Sequence, residues 1–226
     1  MGLVYQTLGF VRALTSLVVF FALAYALWGD LERREVRAWV AAFGCTLIGA
    51  SLYLIPEAGP GAHLGNFLGR NSFLALSAGL QWVGSAWLHP GSRKRPWAAL
   101  LPLALLGFLL LFLRDTFPGR ALAFSLAVSP FLLGAAVHLH RIPHAPARGH
   151  ARAAALLLGL HSAFYLLRGV AMKRAGSEAD MMLWVALSFG VALLVQSALA
   201  FLIGMVLLSH PPSTPLPGGP AEPPVD

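Results

Sequence analysis

Long apolar runs alternate with short polar or charged stretches from one end of the chain to the other. Read by length, seven runs can cross a bilayer: residues 8–28 (extending back towards residue 3), 38–55, 67–88, 97–113, 121–139, 151–174 and 181–208. Charge, proline or glycine breaks them, at the charged turn 29–37, the Pro/Gly run 56–61, His89-Pro90-Gly91, the turn 115–119, the loop 141–149 and the connector 175–180. Residues 209–226 are rich in Pro and Gly and read as disordered. The expected fold is all-α: a polytopic membrane protein with a seven-transmembrane-helix bundle over residues 1–208 and a Pro-rich tail over 209–226.

Composition agrees with this pattern. Of 226 residues, 58% are hydrophobic and 11% are charged, and mean hydropathy is +0.72. A water-soluble domain of this length carries about twice that charge. The net charge of +7 does not point to nucleic acid, because the basic residues sit in short breaks between apolar runs. Cys45 is the one cysteine, so no intrachain disulfide is expected. The first run is expected to be a span and not a cleavable signal peptide. It is too long, lacks a basic leader, and Gly29-Asp30 is no cleavage site.

Charge also predicts orientation. With the N-terminus outside, one side collects Arg33, Arg34, Arg37, Arg93, Lys94, Arg95, Arg141, Arg148 and Arg152. The other collects Arg114, Arg120, Lys173 and Arg174. The excess belongs in the cytoplasm, which gives an outside N-terminus and a cytoplasmic C-terminus. Trp28, Trp39, Trp97 and Trp184 near run ends suit interfacial anchoring. Gly44, Gly49, Gly79, Gly84, Gly190 and Gly204 suit close helix packing.

The sixth run holds the most unusual polar set. A helix turns about 100° per residue. Tyr165 therefore falls roughly 40° from His161 on one side, and Arg168 roughly 20° on the other. One face carries all three, and the other faces are mostly Leu, Ala, Val and Gly. In the third run, Asn66, Arg70, Ser77 and Gln81 stack on one side by the same spacing rule. Under the predicted orientation Arg12, Arg70 and Arg168 lie at one level near the outer side. Together they predict an electropositive vestibule for a small anionic ligand, with Arg168, His161, Tyr165, Arg70, Gln81 and Arg12 as its residues. A planar guanidinium suits carboxylate or phosphate. The alternative reading lets Arg12 and Arg70 reach the interface while Arg168 pairs with backbone carbonyls or Asp180.

His161 suits a proton relay, a haem ligand or a satisfied core histidine. Bis-histidine haem needs a second histidine at that depth, and none stands there. His138, His140, His144 and His150 match no zinc spacing and are interrupted by Arg141 and Arg148. No metal and no cofactor is expected. No Asp or Glu falls inside the seven runs, so a carboxylate proton or sodium relay has no carrier. The last run has no lysine for a retinal Schiff base, and no catalytic motif is present. An enzyme is not expected.

The order of these features resembles the N-terminal seven-span input module of bacterial GGDEF-type diguanylate cyclases. The resemblance rests on the WGDLERREVRAW turn, the NSFLALSAGLQWVGSAWL run, ARAAALLLGLHSAFYLLRGVAM and FGVALLVQSALAFLIGMVLL, and covers about residues 5–208. It implies an input module in a bacterial cytoplasmic membrane with a cytoplasmic C-terminus. It implies no cyclase here, because SHPPSTPLPGGPAEPPVD follows the last run and no GGDEF motif is present. The expected function is that of a sensor or regulator, binding a small ligand or a partner membrane protein. A small transporter or channel, favoured by Pro102 and Pro130, and a non-catalytic scaffold are the alternatives. The expected partners are the lipid bilayer, a small anion, and a membrane protein or second copy of the chain. Nucleic acid is not among them.

Overall fold

The computed structural model describes residues 2–55, 62–89, 92–143 and 145–210, with the side chains of all of these except 2–6, 62–64 and 145. The expected tail 209–226 lies almost wholly outside them, as do the Pro/Gly run 56–61, Pro90-Gly91 and His144. Seven α-helices occur among the described residues, and no strand does. They are α1 (Gly2–Ala26), α2 (Arg34–Ser51), α3 (Ala62–Trp87), α4 (Leu101–Leu113), α5 (Phe117–His140), α6 (Ala145–Arg174) and α7 (Glu178–Ser209). Short 3₁₀ turns at Trp28–Asp30, Leu52–Leu54 and Pro96–Leu100 extend α1, α2 and α4.

Six of these segments are long and apolar enough to cross a membrane: Thr7–Ala26, Arg34–Leu54, Pro96–Leu113, Phe117–His140, Pro146–Arg174 and Glu178–Ser209. Helix α3 is not one of them. Its 26 residues would span about 39 Å at 1.5 Å per residue, but Arg70, Asn71 and Gln81 interrupt its apolar run. Large apolar side chains such as Val18, Phe21, Phe112, Leu160, Leu194 and Phe201 point outward. An apolar exterior on helices of this length defines a membrane protein.

Helix order explains where α3 goes. Contacts run α1–α2, α2–α3, α3–α5, α5–α6, α6–α7 and α7–α1, which closes a ring of six helices. Helix α4 stands outside the ring, against α3 and α5. The helix without a long enough apolar run is thus shielded by neighbours, which is where polar side chains at membrane depth find partners. Gly79 lets α3 approach the turn before α4, since a Cβ there would run into the Ala99 carbonyl.

Several helix ends differ from the expected ones for local reasons. Helix α2 begins at Arg34, which brings Glu35 into a helix and corrects the expectation of acid-free spans. Glu35 is 1% exposed and its Oε1 accepts from Arg33 Nε at 2.9 Å. Arg33 Nη1 also donates to the Leu207 carbonyl at 3.1 Å, fastening the end of α7 to the α1–α2 turn. Thr116 caps α5 by accepting from Gly119 N at 3.1 Å. Ser177 caps α7 by accepting from Asp180 N at 3.1 Å, and Glu178 and Asp180 suit the positive helix start. Pro102 lies in the first turn of α4, where proline costs no hydrogen bond, and only Pro130 of the two is interior. Trp28 and Trp97 are exposed, but Trp39 is fully buried beside Phe43 and is no interfacial anchor.

At the end of the ring holding the α3 and α5 C-termini, a basic cluster forms. His89 Nε2 lies 2.8 Å from the His138 carbonyl, and Lys94 Nζ lies 3.1 Å from His138 Nε2. Lys94 Nζ also sits 3.3 Å from the centre of the Trp82 ring. Burial pushes the Lys94 amine down to about 8 from its usual value.

Candidate functional site

Two adjoining cavities open inside the ring. The first, of about 50 Å³, is lined from α1 by Arg12, from the turn after α2 by Tyr53, from α3 by Phe67, Arg70, Asn71 and Leu74, from α5 by Phe117, Ala121 and Phe124, from α6 by Tyr165 and Arg168, and from α7 by Val185, Ser188 and Phe189. The second, of about 60 Å³, lies further along the same helices. Its polar lining is Arg12, Thr46, Ser77, Gln81, His161, Tyr165 and Gln196. Arg12, Leu74 and Tyr165 line both. Each volume holds the centres of a few water molecules. Helix α4 contributes to neither.

All six residues expected at the site converge on these cavities. Arg12, Arg70 and Arg168 meet in the first, while Gln81 and His161 line the second, with Tyr165 between. Of the expected α3 face, Arg70, Ser77 and Gln81 line cavities, but Asn66 does not, and Asn71 takes a lining place instead.

An aromatic cluster holds the arginines. The Arg70 guanidinium carbon lies 4.4 Å from the centre of the Tyr53 ring, and that of Arg12 lies 5.6 Å from it. Arg12 also lies 5.4 Å from the Phe189 ring, and Tyr53 and Phe189 meet edge to face at 5.0 Å. Ring faces attract a desolvated guanidinium. Arg12 is only 6% exposed, so it does not reach an interface. Its Nε has no hydrogen-bond partner among the described residues, and neither has Arg168 Nε. Asp180, the acid considered for Arg168, is hydrogen-bonded to Ser177 Oγ at 2.7 Å instead. Among the described residues no Asp or Glu lines either cavity. Glycine at position 9 seats the cluster: a Cβ there would stand 2.8 Å from Tyr53 Cβ.

The second cavity is polar without being charged, apart from Arg12. His161 stacks edge-on to Tyr165 at 4.5 Å, and its Nδ1 is buried with no hydrogen-bond partner among the described residues. Gln196 Nε2 donates to Ser16 Oγ at 3.1 Å, joining α7 to α1. Gln81 Nε2 donates to Ser77 Oγ at 3.3 Å, which lies 2.8 Å from Thr46 Oγ1. Among the described residues no cluster of three or more His, Cys, Asp or Glu could hold a metal.

Tyr53, Phe189, Ser16 and Gln196 were not expected at the site. The aromatics look like any lipid-facing residue in a sequence. A lone glutamine in the last run was the one available signal. Comparison of the chain with protein-family models, with curated proteins and with solved structures finds no match.

Proposed function

We propose that this is a bacterial inner-membrane sensor or regulator that binds a small organic or inorganic anion in the arginine-lined cavity. The observation that carries this reading is Arg12, Arg70 and Arg168, from three helices, around one cavity, with the Nε atoms of Arg12 and Arg168 buried and without a partner among the described residues. Guanidinium N–H groups of Arg12 and Arg168 left without a protein acceptor at membrane depth favour a small anion. In this reading α3 is the seventh span, the N-terminus is outside, and the cavity lies towards the outer leaflet. The basic-residue excess and the resemblance to cyclase input modules support that arrangement. The protein performs no chemistry of its own and hands a change in ring packing to a partner.

The test is thermal unfolding of the detergent-purified protein against acetate, succinate, phosphate and sulfate. An anion at about 100 times its dissociation constant adds roughly 2.7 kcal/mol. Arg168→Ala should abolish the shift without lowering the unliganded melting temperature by more than a few degrees. No shift with any anion would overturn the reading and favour a scaffold.

The serial placement of two cavities along the ring axis supports a second reading, a small transporter. Flux of the bound anion into proteoliposomes would establish it, and binding without flux would favour the sensor.

A further inference from the structure

The second cavity contains a hydrogen-bond chain whose direction can be worked out. Thr46 Oγ1 donates its proton to the Ala42 carbonyl at 3.0 Å. It therefore has none for Ser77, and the 2.8 Å contact between the two hydroxyls must be donated by Ser77. Ser77 Oγ has then used its own proton and can only accept from Gln81. The Gln81 amide must turn its NH₂ towards Ser77, at 3.3 Å. This leaves Gln81 Oε1 fixed as an acceptor. That atom is buried with no partner among the described residues, on a side chain 9% exposed that lines the cavity.

A buried acceptor without a donor costs about 1–3 kcal/mol. A ligand can remove that cost by offering O–H or N–H. The identity of the donor follows from charge. Arg12, 94% buried by its 6% exposure, lines the same cavity, and Arg70 and Arg168 line the next. An ammonium in this cavity would be repelled by Arg12, whereas a neutral hydroxyl would not.

Resting on the anion-binding reading above, we infer that the ligand is a small organic anion carrying a neutral hydroxyl. The anionic group sits on Arg12 with Arg70 and Arg168, and the hydroxyl reaches the second cavity to donate to Gln81 Oε1. Arg12 is the hinge of the arrangement, since it is the one cation that lines both cavities. His161, with its free Nδ1 on the same cavity, can accept from or donate to the hydroxyl oxygen or proton as its tautomer allows.

The test uses matched carboxylates on the full-length protein in detergent: butyrate, 4-hydroxybutyrate and 4-aminobutyrate, then hexanoate and 6-hydroxyhexanoate. Affinities are read by calorimetry. In the unaltered protein at least one hydroxylated acid should bind about tenfold more tightly than its unsubstituted partner, and the amino acid should bind more weakly than the hydroxy acid. Gln81→Met should erase the gap between the members of each pair. Arg168→Ala should weaken both members of a pair alike. Equal affinity within every pair would overturn this inference, with water serving Gln81 instead, while leaving anion binding intact. Binding of no carboxylate would overturn both. The comparison within the unaltered protein decides the matter even where a variant fails to fold.

Discussion

Arg12 and Arg70 share one aromatic ring. Their guanidinium carbons lie 5.6 and 4.4 Å from the centre of Tyr53, although they come from α1 and α3. Two like charges near one another inside a membrane repel unless something screens them. The ring quadrupole offsets part of this repulsion. Tyr53→Leu should therefore lower stability by about 1–3 kcal/mol, from lost cation–π and packing terms. Tyr53→Phe, which keeps the ring, should stay within about 0.5 kcal/mol. Denaturation of the purified variants in detergent checks both, and a large loss in Tyr53→Phe would show that the hydroxyl matters more than the ring.

The approach of α3 to the α4 turn gives a sharper steric prediction. A methyl on Gly79 meets the Ala99 carbonyl, so backbone must shift. Gly79→Ala should cost at least about 1–3 kcal/mol. Gly107→Ala on α4 is the control, because nothing lies within 4 Å of a Cβ there. It should be neutral or slightly stabilising, since alanine favours helix by up to about 1 kcal/mol. Equal melting temperatures for the two variants would contradict this packing of α4 on the ring.

Glu35 and Arg33 form the buried ion pair at the end of α2, and Arg33 also holds the Leu207 carbonyl. Removing Arg33 leaves Glu35 buried and unpaired, which costs about 3–5 kcal/mol, whereas removing Glu35 still leaves Arg33 with Asp30, 3.7 Å away. Arg33→Met should be strongly destabilising. Arg33→Met combined with Glu35→Met should recover most of the loss, since well-packed apolar replacements of a buried pair are often neutral. Chemical unfolding of the two variants reads the difference.

Lys94 makes stability depend on pH. Burial lowers its amine to about 8 in the folded protein, from 10.5 in the unfolded chain. Between these values the unfolded chain binds more protons, so stability rises with pH from about 8 to 10.5. Below about 8 the amine is charged in both states and the penalty is fully present. His138 and the Trp82 ring stand against it and add no acid to offset this. Lys94→Met should flatten the rise in melting temperature between pH 8 and 10.5, and an unchanged slope would assign it to other groups.

Much of the site was legible because helical spacing converts directly into a face. His161, Tyr165 and Arg168 recur at intervals of four and three, and so they fall together whatever the bundle looks like. Arg12 and Arg70 were legible from depth alone. Tyr53 and Phe189 were not, because an aromatic that holds a guanidinium and one that faces lipid have the same hydropathy. Ring order was not legible either. Hydropathy marks α4 as one of the most apolar segments, but apolarity says nothing about neighbours. Placing α4 outside and α3 inside follows from which helix can shed polar groups to lipid and which cannot. Glu35 was missed for a related reason: charge density marked residues 29–37 as a turn, but an acid paired within two residues can enter a helix.

A reciprocal hydrogen-bonded pair joins α1 to α7. Ser16 Oγ donates to Gln196 Oε1 at 3.2 Å, or accepts from Gln196 Nε2 at 3.1 Å, and both residues are buried. Lipid cannot replace either partner, so the cost of breaking the pair depends on what remains. Ser16→Ala leaves a buried glutamine beside an apolar wall and should cost about 1–3 kcal/mol. Ser16→Ala with Gln196→Leu removes donor and acceptor together and should restore stability to within about 1 kcal/mol. If the single variant is as stable as the parent, the second cavity must supply Gln196 with water or ligand in place of Ser16. Repeating the measurement with saturating 4-hydroxybutyrate then separates the two, because only a ligand-supplied partner makes the stability of Ser16→Ala depend on its concentration.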